Sequence, residues 1–109
     1  MVKEIELEKT YLLKYLPKDI WQKKAIEIFD IYIPKSVDHS ILRIRKRGDV
    51  CEITKKQPVK GNDSSEQEEH TINLSKEEFL ELANVDGKKL HKVRYIYPCG
   101  ANTAEIDVY

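Results

Sequence analysis

In an extended strand, residues two apart stand on one face. Arg43, Arg45 and Arg47 then form a row of one sign, and Glu6 and Glu8 form another. Glu52, Thr54 and Lys56 share a face, as do Lys92, Arg94 and Ile96, and Glu105 and Asp107 flank Ile106. A guanidinium is a planar fork that grips phosphate oxygens in pairs and keeps its proton. Carboxylates suit hard divalent cations. Like charges about 4 Å apart repel by ~1 kcal/mol in water and ~4 kcal/mol at an effective dielectric near 20. Such rows are tolerable on a solvated sheet face, where alternation is routine. Enclosed, they need counter-charge, and a barrel with basic and acidic rows inside suits a polyanion held with metal cations. Solvated faces usually mix signs, which the arginine row and the Glu6–Glu8 row do not. No Ser-His-Asp or Cys-His arrangement is evident, and His39, His70 and His91, which fit no ligand spacing, read as surface or loop residues.

The elements that would carry these rows are mostly strands. Residues 2–13, 26–33, 40–47, 50–57, 67–74, 90–97 and 103–109 give seven candidates by alternation and β-branched or aromatic content. Gly48-Asp49 joins two of them as a tight turn, and residues 98–102 join the last two. Residues 57–65 read as a loop from their Pro, Gly, Asn, Asp and Ser content. Ser75-Lys76-Glu77-Glu78 has capping-box spacing before Phe79 and Leu80, with Gly87 beyond the helix end. Pro17-Lys18-Asp19 opens a second short helix over residues 20–25, with Trp21 and Tyr15 as packing residues. The expected fold is α+β and mainly antiparallel: a curved sheet or incomplete tunnel-like barrel of about seven strands with two short helices.

The chain of 109 residues is one domain's worth, residues 1–109. Charged residues make up 35%, above the usual ~25%, yet 19 cations balance 19 acids, which argues against a basic nucleic-acid coat. The balance hides segregation: residues 41–60 hold seven cations against Asp49 and Glu52, and residues 63–82 hold seven acids against Lys76. No apolar run approaches the ~20 residues of a membrane span. Cys51 and Cys99 are too few for a disulfide scaffold and lack zinc spacing, so a reduced, cytoplasmic setting is expected.

Taken in order, the motifs resemble the CYTH family, or triphosphate tunnel metalloenzymes, which includes thiamine triphosphatases, inorganic triphosphatases and class IV adenylate cyclases. The matching runs are Glu6-Leu7-Glu8, Arg43-Ile44-Arg45, Thr54-Lys55-Lys56, Glu66 to Ile72, Lys92-Val93-Arg94-Tyr95 and Glu105-Ile106-Asp107-Val108-Tyr109. Each is weak alone, and together they span essentially the whole chain. Thr10 stands where the family usually has Lys, Ser64-Ser65 stand where it often has an Arg, and the chain stops at Tyr109 before the family's further acidic strand. The expectation is therefore a domain truncated at its C-terminal end, by nature or as a fragment, or one closed by another copy across an unpaired edge.

The resemblance implies that Arg43, Arg45, Lys56, Lys92 and Arg94 hold the phosphates, with Arg47 at the rim. It also implies that Glu6, Glu8, Glu66, Glu69, Glu105 and Asp107 hold Mg²⁺ or Mn²⁺. The acids at 66–69 fit two registers, of which the one through Glu69 is favoured. Glu6, Glu8 and Lys56 would carry catalysis, the hydrolysis of tripolyphosphate or an organic or nucleoside triphosphate. The alternatives are a polyphosphate- or nucleotide-binding module without turnover and a β-rich interaction protein. The implied partner is a triphosphate-containing small molecule, with no membrane, no nucleic acid and a homo-oligomer or strand-exchanged dimer as the side expectation.

Overall fold

A computed structural model describes the backbone of residues 2–7, 11–60 and 63–109, and the side chains of residues 11–59 and 67–109. The strands are β1 (Val2–Leu7), β2 (Lys24–Ile33), β3 (Leu42–Arg47), β4 (Val50–Lys60), β5 (Asp63–Leu74), β6 (Lys88–Cys99) and β7 (Asn102–Val108). They form one seven-stranded sheet in the order β1-β5-β4-β3-β2-β6-β7. Every ladder is antiparallel. A 3-10 turn at Ile20–Gln22 precedes β2, and α1 (Lys76–Leu82) connects β5 to β6.

Local chemistry accounts for the junctions. Ser75 caps α1: its Oγ accepts from the Glu78 amide at 3.1 Å, and Glu78 Oε1 accepts from the Ser75 amide at 2.7 Å. Gly48 and Gly100 take φ of 57° and 60° in the β3–β4 and β6–β7 turns, a region that glycine enters without steric cost.

The sheet has an apolar face and a charged face. On the first, Ile31, Ile44 and Cys51 pack with Phe79 of α1, flanked by Ile33, Ile53, Leu74, Leu82 and Ala83. Burying a side chain such as Phe79 contributes roughly 1.5–3 kcal/mol. Trp21 meets Tyr95 of this face edge-on at 5.6 Å, and the Tyr97 hydroxyl donates to Asp19 Oδ1 at 2.7 Å. On the second face, Ile28, Asp30, Arg45, Thr54 and Lys92 are all buried. Among the described residues α1 lies against the first face, Trp21 of the 3-10 turn touches Tyr95 there, and the sheet curls into a half-barrel.

Several expected boundaries move. The strand expected over 2–13 is β1, ending at Leu7, residues 8–10 lie outside the described set, and Tyr11, Leu12 and Leu13 are exposed and in no strand. The ladder gives the reason for the last three: Leu7 pairs with Glu66 and β5 starts at Asp63, so β5 offers no partner to residues 11–13. The helix expected over 20–25 is only the Ile20–Gln22 turn, because Lys24 and Ala25 already pair with Ile96 and Tyr95. Trp21 touches Tyr95 but stays 64% exposed, and Tyr15 is exposed as well, so neither is the packed helix residue expected. The loop expected over 57–65 is largely strand: Gln57 pairs with Glu68, Pro58 with Gln67 and, past a register shift, Lys60 with Asp63. Gly87 is no left-handed helix cap. It is buried, and a Cβ there would stand 2.6 Å from Ile31 Cγ2 and 2.8 Å from the Tyr32 carbonyl oxygen, so only glycine allows this approach to β2.

Candidate functional site

Strand register brings the separate rows to one face. Arg45 pairs with Asp30 of β2 and Glu52 of β4; Arg43 pairs with Tyr32 and Thr54. Lys56 pairs with Glu69. Lys92 and Arg94 of β6 stand beside Ile28 and Ile26 of β2, and Arg94 beside Asp107 of β7. Glu105 is beside Ile96, and Glu6 of β1 is beside Gln67. Position 69 has the parity of that Glu6–Gln67 row, whereas position 66 pairs with Leu7 and has the opposite parity. The side chains of Glu6 and Glu66 and the whole of Glu8 lie outside the described residues.

Two aspartates organise the cations at the centre. Arg45 is 5% exposed and donates from Nε to Asp30 Oδ1 at 2.6 Å and from Nη2 to Asp30 Oδ2 at 2.8 Å; Asp30 is 1% exposed. Arg94 repeats the pattern, donating from Nε to Asp107 Oδ1 at 2.8 Å and from Nη2 to Asp107 Oδ2 at 3.0 Å. The buried Lys92 ammonium lies 2.8 Å from Asp107 Oδ2, and Arg94 Nη1 lies 3.7 Å from Glu105 Oε1. The two arginine–aspartate pairs are bidentate, charge-assisted contacts, the strongest kind of side-chain hydrogen bond.

The electrostatics follow. Burial by itself lowers the Arg45 pKa, but the hydrogen bonds and charge of Asp30 outweigh it and raise it. Asp107 likewise raises that of Arg94 against burial. Burial pushes the Asp107 carboxyl up, and Arg94 and Lys92 overcome this, bringing it down to about 2. Arg43 differs from both arginines: its Nε is buried and has no hydrogen-bond partner among the described residues. A buried, unmatched donor is costly, and an anion oxygen would satisfy it.

Toward the other side of the face, the Thr54 and Thr71 hydroxyls lie 3.1 Å apart and Thr71 Oγ1 donates to Glu69 Oε1 at 3.3 Å. Carboxylate oxygens are the right donors for Mg²⁺ or Mn²⁺. Both Asp107 oxygens are already engaged by Arg94 and Lys92, and Glu105 is exposed. Glu69 on β5 and Glu105 on β7 are five strand positions apart in the sheet order. Among the described residues no cluster of three or more His, Cys, Asp or Glu side chains is drawn together as a metal site.

The histidines stand apart from these rows. His70 Nε2 lies 2.7 Å from Glu68 Oε1, His91 stacks on Phe29 at 4.6 Å, and His39 lines a shallow hollow with Tyr32, Asp38 and Lys88. Arg47 is exposed at the end of β3. Sequence reading missed Asp30. Its signal was an acid placed between Ile28 and Tyr32, in a strand otherwise read only for its apolar residues.

Fold and site together define a class: an antiparallel half-barrel whose buried face carries paired arginines, lysine and carboxylates. Comparison of the chain with family models, with curated proteins and with solved structures finds no match. Among the described residues no helix is long and apolar enough to cross a membrane.

Proposed function

We propose that the chain is a CYTH-like triphosphatase, hydrolysing tripolyphosphate or an organic triphosphate on its charged face with a divalent cation. The observation that carries this reading is the gathering of Arg43, Arg45, Lys92 and Arg94 on one curled face, with a buried Arg43 Nε unmatched among the described residues. A triphosphate brings roughly four negative charges. Phosphoryl transfer needs positioning and charge neutralisation more than covalent help. The arginine forks and Lys92 would neutralise the non-bridging oxygens, with Lys56 gripping the terminal phosphate. Water attacks the terminal phosphorus, the bridging P–O bond breaks, and orthophosphate leaves the remaining diphosphate, with one water proton released. Glu6, Glu8, Glu69 and Glu105 would hold Mg²⁺ or Mn²⁺, which supplies further neutralisation and a more acidic water when bound. The half-barrel would become a closed tunnel when its β1 and β7 edges are covered, by further strand or by a second copy.

The engagement of both Asp107 oxygens by Lys92 and Arg94 favours a second reading, a triphosphate-binding module without turnover. Phosphate release from tripolyphosphate and ATP, with Mg²⁺, Mn²⁺ or EDTA, separates the two when run beside a thermal shift. The triphosphatase predicts metal-dependent release that Arg43→Ala and Glu105→Ala each cut at least tenfold. A thermal shift without release supports the binding module. Silence in both assays overturns both readings.

A further inference from the structure

Resting on the reading of the charged face as a triphosphate site, we propose that Asp30 is its positioning residue, holding Arg45 by one edge so that the other edge is presented to phosphate oxygens. A guanidinium has five N–H donors. Asp30 takes one from Nε and one from Nη2, which leaves three at the Nη1–Nη2 end, in a group whose orientation is fixed by two bonds of 2.6 and 2.8 Å. The Tyr32 hydroxyl, 3.4 Å from Asp30 Oδ2, braces the carboxylate from its own strand. Asp30 also stands between cations on both neighbouring strands: Arg45 on β3, and on β6 Lys92, which pairs with Ile28, and Arg94, which pairs with Ile26. Arg45 and Arg94 are close enough to repel, and the charge of Asp30 acts favourably on both. Without it, a buried Arg45 would face Arg94 with no neutralising partner in β2.

The arginines thus fall into two kinds. Arg45 and Arg94 are pinned in advance at the Nε edge, by Asp30 and by Asp107. Arg43 has no such partner for its Nε among the described residues and is completed by the ligand. Preorganised donors lose less freedom on binding than mobile ones, so removal of the pin weakens affinity although Asp30 repels the anion itself.

The test is calorimetric titration of tripolyphosphate, in EDTA so that no turnover intervenes, on the wild-type chain, Asp30→Asn, and the double variant Asp30→Leu with Arg45→Met. Asp30→Asn keeps the shape and removes the charge, and a tenfold or greater loss of affinity is expected. The double variant replaces the buried pair by apolar groups, which restores stability without a charge to bury. It should melt near the wild-type temperature and still bind at least tenfold more weakly. Wild-type affinity in the double variant would make the pair purely structural and overturn the proposal, as would unchanged affinity in Asp30→Asn. If Asp30→Asn does not fold, Asp30→Glu takes its place: it keeps the charge but moves the carboxylate by one methylene, a tenfold or greater loss of affinity is expected, and unchanged affinity overturns the proposal. Absence of tripolyphosphate binding in the wild-type chain overturns the triphosphate reading and this role together, an outcome distinct from failure in the variants only.

Discussion

At the scale of single residues, Asp107 is a carboxylate of the charged face that cannot be protonated without cost. Asp107 is brought to about 2 by Arg94 and Lys92, below the ordinary ~3.9 of an unfolded Asp. Its contribution is therefore complete above about pH 4 and lost as pH falls through about 2, and a shift of this size amounts to about 2 kcal/mol. Urea unfolding across pH should show the loss on that limb. Asp107→Asn should lower stability at pH 7 by a similar amount and flatten the limb; an unchanged limb would mean that the pairing contributes nothing. Asp30 and Arg45 carry the larger penalty, since removing one partner of a buried pair leaves an uncompensated charge, typically costing 3–5 kcal/mol. The exposed Lys35–Asp86 pair, at 3.4 Å, should be nearly silent when broken.

At the scale of elements, the helix side of the sheet is fixed by a cap and a close approach. Ser75→Ala removes the acceptor for the Glu78 amide and should cost about 1 kcal/mol. Gly87→Ala should cost more, about 1–3 kcal/mol, because its Cβ would meet the Tyr32 carbonyl oxygen at 2.8 Å, and backbone cannot turn aside as a flexible side chain can. In a domain of this size each kcal/mol lowers the melting temperature by roughly 4–8 °C, so calorimetry should rank Gly87→Ala below Ser75→Ala. Both substitutions lie on the apolar side or at its margin, and neither should alter triphosphate affinity.

At the scale of the whole molecule, zero net charge conceals a polar division across the sheet. A ligand that meets the cation rows should stabilise the fold by ~2.7 kcal/mol at 100 times its dissociation constant. Raising salt from about 0.01 to 1 M shortens the Debye length from ~30 to ~3 Å, so the shift at fixed ligand should shrink. A thermal shift from tripolyphosphate but not from a neutral sugar, and weakened by salt, is the expected pattern. A salt-independent shift would place the ligand elsewhere than among these charges.

The alternation of charge along each strand was enough, by itself, to assign Arg43 to Arg45, Arg45 to Arg47, and Lys92 to Arg94 to common faces, because side-chain direction in a strand has a period of two. Residue type and short spacing were likewise enough for the Ser75 cap and the Gly48 and Gly100 turns, whose chemistry is local. Pairing was not legible, because it depends on residues far apart in the chain. Only register put Asp30 beside Arg45, separated position 69 from position 66, and carried β4 and β5 through the turn-like composition of 57–65. The same holds for Gly87, whose role is its distance from Tyr32 rather than its place after a helix. Sequence thus determined which residues can act together along a strand; tertiary structure decided which strands stand side by side, and with that which charges are matched.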